Sequence, residues 1–540
     1  MKKNKYIPKD NWEGLKENFS SDSISGFMVF LLALPLSLGI AKASGFPALY
    51  GLVTAIIGGI VVTFFMGSRL SIKGPAAGLI AIASGAVAAF GEGEKGWQLT
   101  LGTIVIAGLL QILFGFLKLG KLADLFPSSA IHGMLAAIGI IIMAKQLHLL
   151  FGINPAELKG KEPLELLAML PSSIVHENAH MTEIGIASLL LMIVINSLNK
   201  KKLKQIPAPL IVLAVSIPLG FALHIKTDGE IANFALVKVG NIIEELKKGI
   251  FKVDFSGITS APGTFVQYVI LFALIGSIES LLTAKAVDEL DPYRRKSDFN
   301  KDLWAVGIGN TISGIFGGLP MISEVARSSA NVAYGAKTRW SNFFHGLFML
   351  IAVLFAVSFI ELIPNVALAA MLIFVGFRLA SPKEFVHIWH VGKDQFIVFV
   401  STIVVTLATD LLIGVGTGIL LELIINVING ASLKYIFKRN IFVHHLGELN
   451  YKIDFKHHAI FSNVPKLKNA LVQIPLGSNI IIDFSGASIV DHTILHIVHR
   501  LKDELEHEGT KLTIQGMDEH ISFSQTLTST RTKKKSKQLA

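Results

Sequence analysis

The chain has 540 residues, of which 51% are hydrophobic and only 16% are charged, whereas soluble domains carry about 25% charged residues. This composition excludes an ordinary soluble enzyme, a secreted disulfide-stabilised protein and a disordered chain. The lack of cysteine excludes disulfides, thiolate metal sites and a cysteine nucleophile. The formal net charge of +10 does not indicate a nucleic-acid partner, because the basic residues lie at the ends of apolar runs, as membrane orientation requires.

Twelve apolar runs meet or approach the length of about 20 residues that a membrane helix needs. They begin near Ile24, Ala48, Leu99, Ser128, Ile184, Ala208, Phe265, Leu303, Asn342, Val366, Gln395 and Leu411. The sequence therefore predicts an N-terminal cytoplasmic segment at 1–23 and a membrane domain at 24–433. We expect a soluble domain at 440–525 and a disordered basic tail at 526–540.

Two further apolar stretches are too short to span a membrane alone, and each follows glycine and proline. One covers 76–90 after Gly74 and Pro75, and the other covers 322–333 after Pro320. Short segments interrupted by glycine and proline, at corresponding places in two halves of a chain, mark the binding site of many transporters. We therefore expect these two stretches to be half-helices, as segments 3 and 10 of fourteen.

The fourteen segments form two groups of seven, at about 24–225 and 264–433. An odd number of segments per group makes the two halves inverted repeats of each other. The distribution of lysine and arginine in the short loops favours a cytoplasmic N-terminus, and an even total returns the C-terminus to the same side. We expect a multi-pass protein of the cell (inner) membrane with both termini in the cytoplasm.

The pattern changes after about residue 440. Residues 479–484 predict a buried strand, 493–507 an amphipathic helix and 511–515 a second strand. A strand, a helix and a strand in this order form a βαβ unit. The soluble part is therefore predicted to be a small α/β domain.

Several motifs occur in a fixed order along the membrane part, namely Pro35, Gly45-Phe46-Pro47, Gly51, Gly74-Pro75-Ala76-Ala77, 278–283, 307–310, 317–320 and 327–331. They resemble those of the sulfate permease (SulP) family of anion transporters. In the C-terminal part, 483–486 with Asp491 resembles the core of the STAS domain, which sulfate transporters share with anti-sigma-factor antagonists. The resemblance implies a homodimer with a core bundle that moves against a gate bundle, and an anion at mid-membrane between segments 3 and 10.

The N-termini of the two half-helices would supply free backbone N–H groups and positive dipole ends to an oxyanion. Arg327 could add a fixed positive charge, or it could pair with Glu324 one turn earlier. Glu324 departs from the small or hydroxyl residues usual in relatives, and it would repel an anion unless it were paired or protonated. Alternatively, the glycine and proline serve only helix packing. The expected substrate-binding residues are Gly74, Pro75, Ala76, Ala77, Ser323, Glu324, Val325, Ala326 and Arg327.

Glu279 lies within an otherwise apolar segment, where an ionised carboxylate is costly and usually functional. We expect it to bind the coupling ion, with Thr283 on the same helical face one turn later. In the bicarbonate transporters of this family an acidic residue and a threonine at this spacing help to bind Na⁺, so both residues are metal ligands only if the coupling ion is Na⁺. Alternatively, Glu279 binds H⁺, or it pairs structurally with Lys285.

The sequence thus predicts a secondary active transporter of sulfate or bicarbonate that uses H⁺ or Na⁺ symport and needs no cofactor. Its other expected partners are membrane lipid and a second subunit. An enzyme is not expected, because no nucleophile and base stand together, and no P-loop is present. The alternatives are a nucleobase permease of the same architecture and a membrane-bound sensor that signals through its STAS domain.

Overall fold

The computed structural model describes residues 7–10, 12–91, 93–120, 126–158, 161–197, 207–227, 231–240, 251–293, 295–409, 411–436, 438, 440–507 and 509–534. The chain divides into two compact units. One contains Met1–Gly120 and Ile138–Leu379, and the other contains Lys121–Ala137 and Ala380–Ala540. The second unit therefore combines the last membrane segments with the C-terminal α/β domain.

The first half of the membrane part is built from eight helices and one short strand in the described ranges. Its second segment ends in a π-helical turn at Ile57–Val61 and a 3-10 turn at Val62–Phe64. The elements are α1 Trp12–Ala43, α2 Ala48–Ile56, β1 Ile72–Pro75, α3 Ile80–Ala89 after a 3-10 turn at Ala77–Leu79, α4 Gly93–Phe116, α5 Ser128–Leu150, α6 Pro163–Val175, α7 Ala179–Ser197 and α8 Ala208–Ala222.

The second half repeats this order after a short helix. Its elements are α9 Gly257–Ser260, α10 Pro262–Leu290, α11 Phe299–Ile315, β2 Met321–Glu324, α12 Val325–Ala333, α13 Trp340–Phe355, α14 Val357–Ile360, α15 Asn365–Leu379, α16 Pro382–Val391, α17 Lys393–Ala408 and α18 Leu411–Ile428. Each predicted segment corresponds to a helix, and the predicted half-helices are the strand–helix pairs β1–α3 and β2–α12. The fold of fourteen segments in two inverted repeats is confirmed.

The extra helices α6 and α16 are absent from the sequence prediction. Each follows the fifth segment of its half and precedes the sixth, so they occupy matching positions in the repeat. Within the described ranges, six helices are long and apolar enough to cross a membrane, and six further apolar helices have 10–17 residues. Two of these shorter helices lie in the interrupted segments 2 and 3.

Strands β1 and β2 pair antiparallel, with Ile72 opposite Glu324 and Pro75 opposite Met321. All four residues of β1 are buried. Extended backbone at membrane depth must find its hydrogen bonds within the protein, and the pairing provides them. The two half-helices are therefore joined at their N-terminal ends, in the antiparallel sense expected of inverted repeats.

Helix α1 begins at Trp12, so part of the predicted N-terminal segment at 1–23 is continuous with the first membrane helix. Its first turns pack on the start of α13, where the rings of Trp12 and Trp340 lie 4.9 Å apart. Asp22 is fully buried and accepts hydrogen bonds from the backbone N–H groups of Lys337 and Thr338. Asp22 therefore belongs to the packed body of the first unit.

Close helix packing in the first unit uses glycine. A Cβ on Gly108 would lie 2.6 Å from the backbone nitrogen of Thr311, and one on Gly59 would lie 2.4 Å from the Cα of Gly346. Side chains larger than hydrogen would separate α4 from α11 and segment 2 from α13. Small residues at helix contacts are typical of membrane bundles, where close van der Waals packing drives association.

The C-terminal domain contains two four-stranded sheets, with strand orders β3-β4-β6-β8 and β5-β7-β10-β9. The predicted βαβ unit is confirmed as β6, α20 and β8, whose strands pair in parallel with Ile480 opposite Leu512. The elements are β3 Ile441–His445, β4 Asn450–Phe455, β5 His457–Ala459, α19 Val464–Val472, β6 Asn479–Asp483, β7 Ala487–Val490, α20 His492–His507, β8 Lys511–Gln515, β9 His520–Ser522 and β10 Arg531–Lys533.

Strand β10 corrects the prediction of a disordered tail at 526–540. Arg531 pairs with Val490 of β7 and with Ser522 of β9, so this strand lies in the middle of its sheet. Lys534 also donates a backbone hydrogen bond to Glu519. The basic composition of this stretch gave no indication of a strand, because the strands that pair with it lie earlier in the chain. Residues 535–540 lie outside the described residues.

Candidate functional site

The pairing of β1 with β2 places the beginnings of the two half-helices side by side. Gly74 and Pro75 lie in β1, Ala76 is extended, and Ala77 begins the 3-10 turn that leads into α3. In the other half-helix, Ser323 and Glu324 lie in β2, and Val325, Ala326 and Arg327 form the first turn of α12. The structure thus gathers the two predicted groups of residues at one place.

Arg327 has a guanidinium group without hydrogen-bond partners. The residue is fully buried, and Nε, Nη1 and Nη2 have no hydrogen-bond partner in the part of the chain that the structure describes. Its Nη1 lies 2.6 Å from the position that a Cβ on Gly74 would take. Gly74 therefore leaves room for the cation against segment 3, and the guanidinium keeps its donors available at the junction of the two half-helices.

Glu324 is the N-cap of α12. Its Oε2 accepts a hydrogen bond of 2.6 Å from the backbone nitrogen of Arg327, and it lies 4.0 Å from Nε of the same residue. A carboxylate at a helix N-terminus is stabilised by the helix dipole and by the N–H groups that lack helical partners. The Glu324 carboxylate therefore accepts a hydrogen bond from one of the backbone N–H groups that we assigned to the substrate anion. At 4.0 Å from Nε, it forms only a weak ion pair with the guanidinium of Arg327.

Ser323 lies in a different environment from its neighbours. Its Oγ accepts hydrogen bonds from Ser280, at 3.1 Å, and from Nζ of Lys73, and it donates to Asp302 at 3.2 Å. Its backbone nitrogen donates to the hydroxyl of Ser280. The hydroxyl group that we expected to contact substrate is thus fully engaged with protein groups.

Lys73 and Asp302 form a buried ion pair that the sequence analysis missed. The side chains are 0% and 1% exposed, and Nζ lies 2.6 Å from Oδ2 and 2.8 Å from Oδ1. Oδ1 of Asp302 also accepts hydrogen bonds from the backbone nitrogens of Gly67 and Ser68. A buried ion pair is sustained only when its remaining polar atoms are satisfied, as they are here. Lys73 stands next to Gly74 inside a membrane segment, where a charged residue is rare, and this position could have indicated the pair from the sequence.

Glu279 reaches segment 3 from helix α10. The residue is buried, with 8% of its surface exposed, and a Cβ on Gly78 would lie 2.1 Å from its Oε2. Its Oε1 has no hydrogen-bond partner within the described ranges. Thr283 is buried one turn further along the same helix. The carboxyl group thus lies against the first turns of the half-helix, next to the site that holds Arg327.

The site therefore combines three charged side chains whose charges are only partly compensated. They are Arg327 with unpartnered nitrogen atoms, Glu324 at the start of α12, and Glu279 with one unpartnered oxygen. Buried charges without partners are unfavourable, and such groups in a membrane protein usually serve substrates or ions. This arrangement can bind a small anion or a small cation, provided that the net charge of the three side chains changes to suit the charge of the bound ion.

Comparisons with known proteins identify the family to which the chain belongs. Residues 19–402 match the sulfate permease family. YvdB of Bacillus subtilis (strain 168) is 27% identical over 409 residues, which are 76% of this chain and 73% of that protein. The bicarbonate transporter BicA of Picosynechococcus sp. is 25% identical over 425 residues, which are 77% of this chain and 72% of that protein.

Two solved structures share the fold. The transmembrane domain of a cyanobacterial BicA superimposes with a TM-score of 0.62 and 23% identity, covering 74% of this chain and 97% of that chain. The murine anion transporter Slc26a9 gives a TM-score of 0.64 and 17% identity, covering 92% of this chain and 85% of that chain. The relatives are transporters, and the chain belongs to the sulfate permease family of anion transporters rather than to a family of enzymes.

Proposed function

We propose that the protein is a secondary active transporter of a small inorganic oxyanion, sulfate or bicarbonate, which it carries together with H⁺ or Na⁺. The observation that carries this proposal is the buried, unpartnered guanidinium of Arg327 at the junction of the two half-helices. A guanidinium forms strong, charge-assisted hydrogen bonds to oxyanions. The family match and the BicA relative support the anionic class of substrate.

The small residues at the two N-termini support close approach of the anion to the backbone. Ala76 and Ala77 begin segment 3, and Ala326 lies in the first turn of α12. The N–H groups of a first helical turn have no acceptor within the helix, and the dipoles of both half-helices favour negative charge there. The anion would thus interact with Arg327 and with the backbone of both half-helices.

The charge balance of the site supports coupling to a cation. Lys73 and Asp302 neutralise each other, so Arg327, Glu279 and Glu324 together carry a net charge of about −1 when all are ionised. An anion would be repelled by this site. Binding of H⁺ or Na⁺ at Glu279 removes one negative charge, and the anion then competes with the side chain of Glu324 for the N-terminus of α12. Anion and cation would therefore bind together.

The remaining features of the proposal rest on the family resemblance and on the lysine and arginine distribution. We propose that the C-terminal α/β domain is a STAS domain, that both termini are cytoplasmic in the cell (inner) membrane, and that the protein forms a homodimer. For the coupling cation, Glu279 and Thr283 offer the oxygen ligands that hard cations prefer. A proton needs Glu279 alone.

A second candidate is a substrate that donates hydrogen bonds, such as a nucleobase. The two carboxyl groups of Glu279 and Glu324 support it, because carboxylates accept hydrogen bonds from N–H groups. A nucleobase substrate would leave no function for the guanidinium of Arg327, which has no hydrogen-bond partner among the described residues. Uptake of labelled uracil therefore belongs beside uptake of the two anions in the first assay.

The test is uptake of labelled sulfate and bicarbonate into liposomes that contain purified wild type or Arg327→Gln. We expect the substitution to reduce uptake by about 10- to 100-fold, because a hydrogen bond to a charged group contributes about 1.5–3 kcal/mol. The matched control is Arg378→Gln, at an exposed arginine of segment 12, which should transport like wild type. Wild type that moves neither anion would overturn the proposal, and a pure sensor would give that result.

A further inference from the structure

Three buried carboxylates of the second unit lie in one hydrogen-bonded network. Asp394 is at the start of α17, Glu422 is in α18, and Asp491 lies between β7 and α20 of the C-terminal domain. Asp394 is 8% exposed, and the other two are 0% exposed. These three residues, here called the carboxylate joint, thus connect membrane segments 13 and 14 with the soluble domain.

Two amide side chains link the members of the carboxylate joint. Nε2 of Gln395 lies 3.1 Å from Oδ2 of Asp394 and 3.1 Å from each carboxylate oxygen of Glu422. Nδ2 of Asn426 donates to Oε1 of Glu422 at 3.3 Å and to Oδ2 of Asp491 at 3.5 Å. A change in the charge of one carboxylate therefore alters the hydrogen bonds and the electrostatic environment of the other two.

Two acceptor oxygens of the network lack a hydrogen-bond donor within the described residues. The hydroxyl group of Thr530 donates a hydrogen bond to Asp394, and Asp491 accepts hydrogen bonds from the backbone N–H groups of Phe461 and Ile494. These donors and the two amides are all uncharged. Oδ1 of Asp394 and Oδ1 of Asn426 have no donor in the described part of the chain. Asn426 is 1% exposed, and a buried acceptor without a donor is unfavourable. The missing component is a hydrogen-bond donor inside the network.

A proton is the smallest donor that satisfies this geometry. A protonated carboxyl group gains one O–H donor. Glu422 and Asp491 both contact the side-chain amide of Asn426, whose Oδ1 has no donor in the described part of the chain. Like charges in one buried site also favour retention of a proton by one of them. We propose that the carboxylate joint is a proton-binding site, and that its shared proton holds the C-terminal domain on segments 13 and 14.

The nearest histidine to Asp491 does not supply a compensating positive charge at neutral pH. Burial lowers the pKa of His492, the residue after Asp491, to about 4, so its ring is neutral. His132 and His387 also influence His492, and His132 itself is 2.8 Å from a carboxylate oxygen of Glu384.

Another histidine, His496, packs beside His492 with ring centroids 5.8 Å apart. Burial raises the pKa of Asp491 from 3.8 to about 7. A group with a raised pKa in the docked state stabilises that state at low pH, and this stabilisation is lost as the pH rises through about 7. Between pH 3.8 and about 7 only the docked state holds this proton, so docking weakens by about tenfold per pH unit within that window and stays weak above it. The C-terminal domain is thus docked in acid and released in alkali.

Hydrogen exchange of the full-length protein in lipid nanodiscs tests this inference, with rates corrected for chemical exchange at pH 6 and pH 8.5. We expect residues 487–507 and the end of α18 to exchange at least tenfold faster at pH 8.5. Strands β6 and β8 should keep equal protection, because the domain itself stays folded. Glu422→Gln mimics the protonated carboxyl group, so its exchange should be slow and equal at both pH values.

Asp394→Asn provides a second variant with the same expected result, in case Glu422→Gln does not fold. The matched control is Asp454→Asn in the same domain, at a carboxylate paired with Lys452 outside the joint, and it should behave like wild type. Equal protection of wild type at both pH values would overturn the inference. So would an unchanged pH response in both joint variants. This outcome is independent of anion uptake.

Discussion

Two buried clusters of charge lie next to each other at the half-helices, and they differ in how well the charges are compensated. The first is the pair Lys73–Asp302, in which every polar atom of the pair has a partner. The second contains Arg327 and Glu279, which keep unpartnered nitrogen and oxygen atoms at full or nearly full burial. We infer that the compensated cluster holds the half-helices in place, and that the uncompensated cluster binds the transported ions.

The largest effect is expected from breaking the compensated pair. Lys73→Met leaves Asp302 as an unpaired buried charge, which should cost about 3–5 kcal/mol of folding free energy. The protein should aggregate or lose its thermal transition in detergent. The double variant Lys73→Met/Asp302→Leu removes both charges and should recover much of the stability. If Lys73→Met folded as well as wild type, the structural role of the pair would be refuted.

A smaller effect is expected at Gly78, where segment 3 meets Glu279. In Gly78→Ala the new methyl group would overlap Oε2 of Glu279, from which its position is 2.1 Å away, so the carboxyl group must move. We expect the apparent KM for the coupling cation to rise several-fold while the thermal transition stays within a few degrees of wild type. Gly416→Ala, in a helix where the added Cβ meets no atom within 4 Å, is the control. Equal cation dependence in both variants would contradict the assignment of Glu279.

The smallest effect is expected on the surface of the C-terminal domain. Lys452 bridges Asp454 at 3.1 Å and Asp483 at 2.7 Å, and these side chains are partly exposed. Burial opposes ionisation of Asp483, but hydrogen bonds from Lys452 and Ser485 outweigh it and lower its pKa. Lys452→Met should therefore destabilise the protein by only about 0.5 kcal/mol.

This stabilisation by Lys452 should disappear at high salt and as the pH falls through the lowered pKa of Asp483. Thermal transitions of wild type and Lys452→Met, recorded at low and high salt, measure the difference. A large loss of stability that resists salt would show that even exposed ion pairs are structural here.

The fold was largely predictable from the sequence because its signals are local. Apolar length gives the membrane segments, and glycine with proline before 76–90 and 322–333 gives the two half-helices. The start of α1 at Trp12 was missed because the buried Asp22 finds its hydrogen-bond partners in the residues just before α13. Strand β10 was missed for the same reason, since its neighbours β7 and β9 determine it.

The candidate site was predicted in its location but not in its contacts. Glu279 and Arg327 stood out because charged residues inside apolar segments are rare. The engagement of Ser323 with Lys73 and Asp302, and the position of Glu324 as an N-cap, depend on residues distant in sequence. Pairing of buried charges is a property of the folded chain, so the spacing of residues could not reveal it.

The measurement that tests the central claim most directly is gradient-driven uptake by Glu279→Gln. Wild type and variant are reconstituted in liposomes, and uptake of labelled sulfate and bicarbonate is followed with a Na⁺ gradient, an H⁺ gradient or none. We predict that one gradient drives one anion in wild type and that the variant loses this response while its thermal transition is retained. Unchanged gradient-driven uptake in Glu279→Gln would contradict the claim, and Glu279 would then be structural.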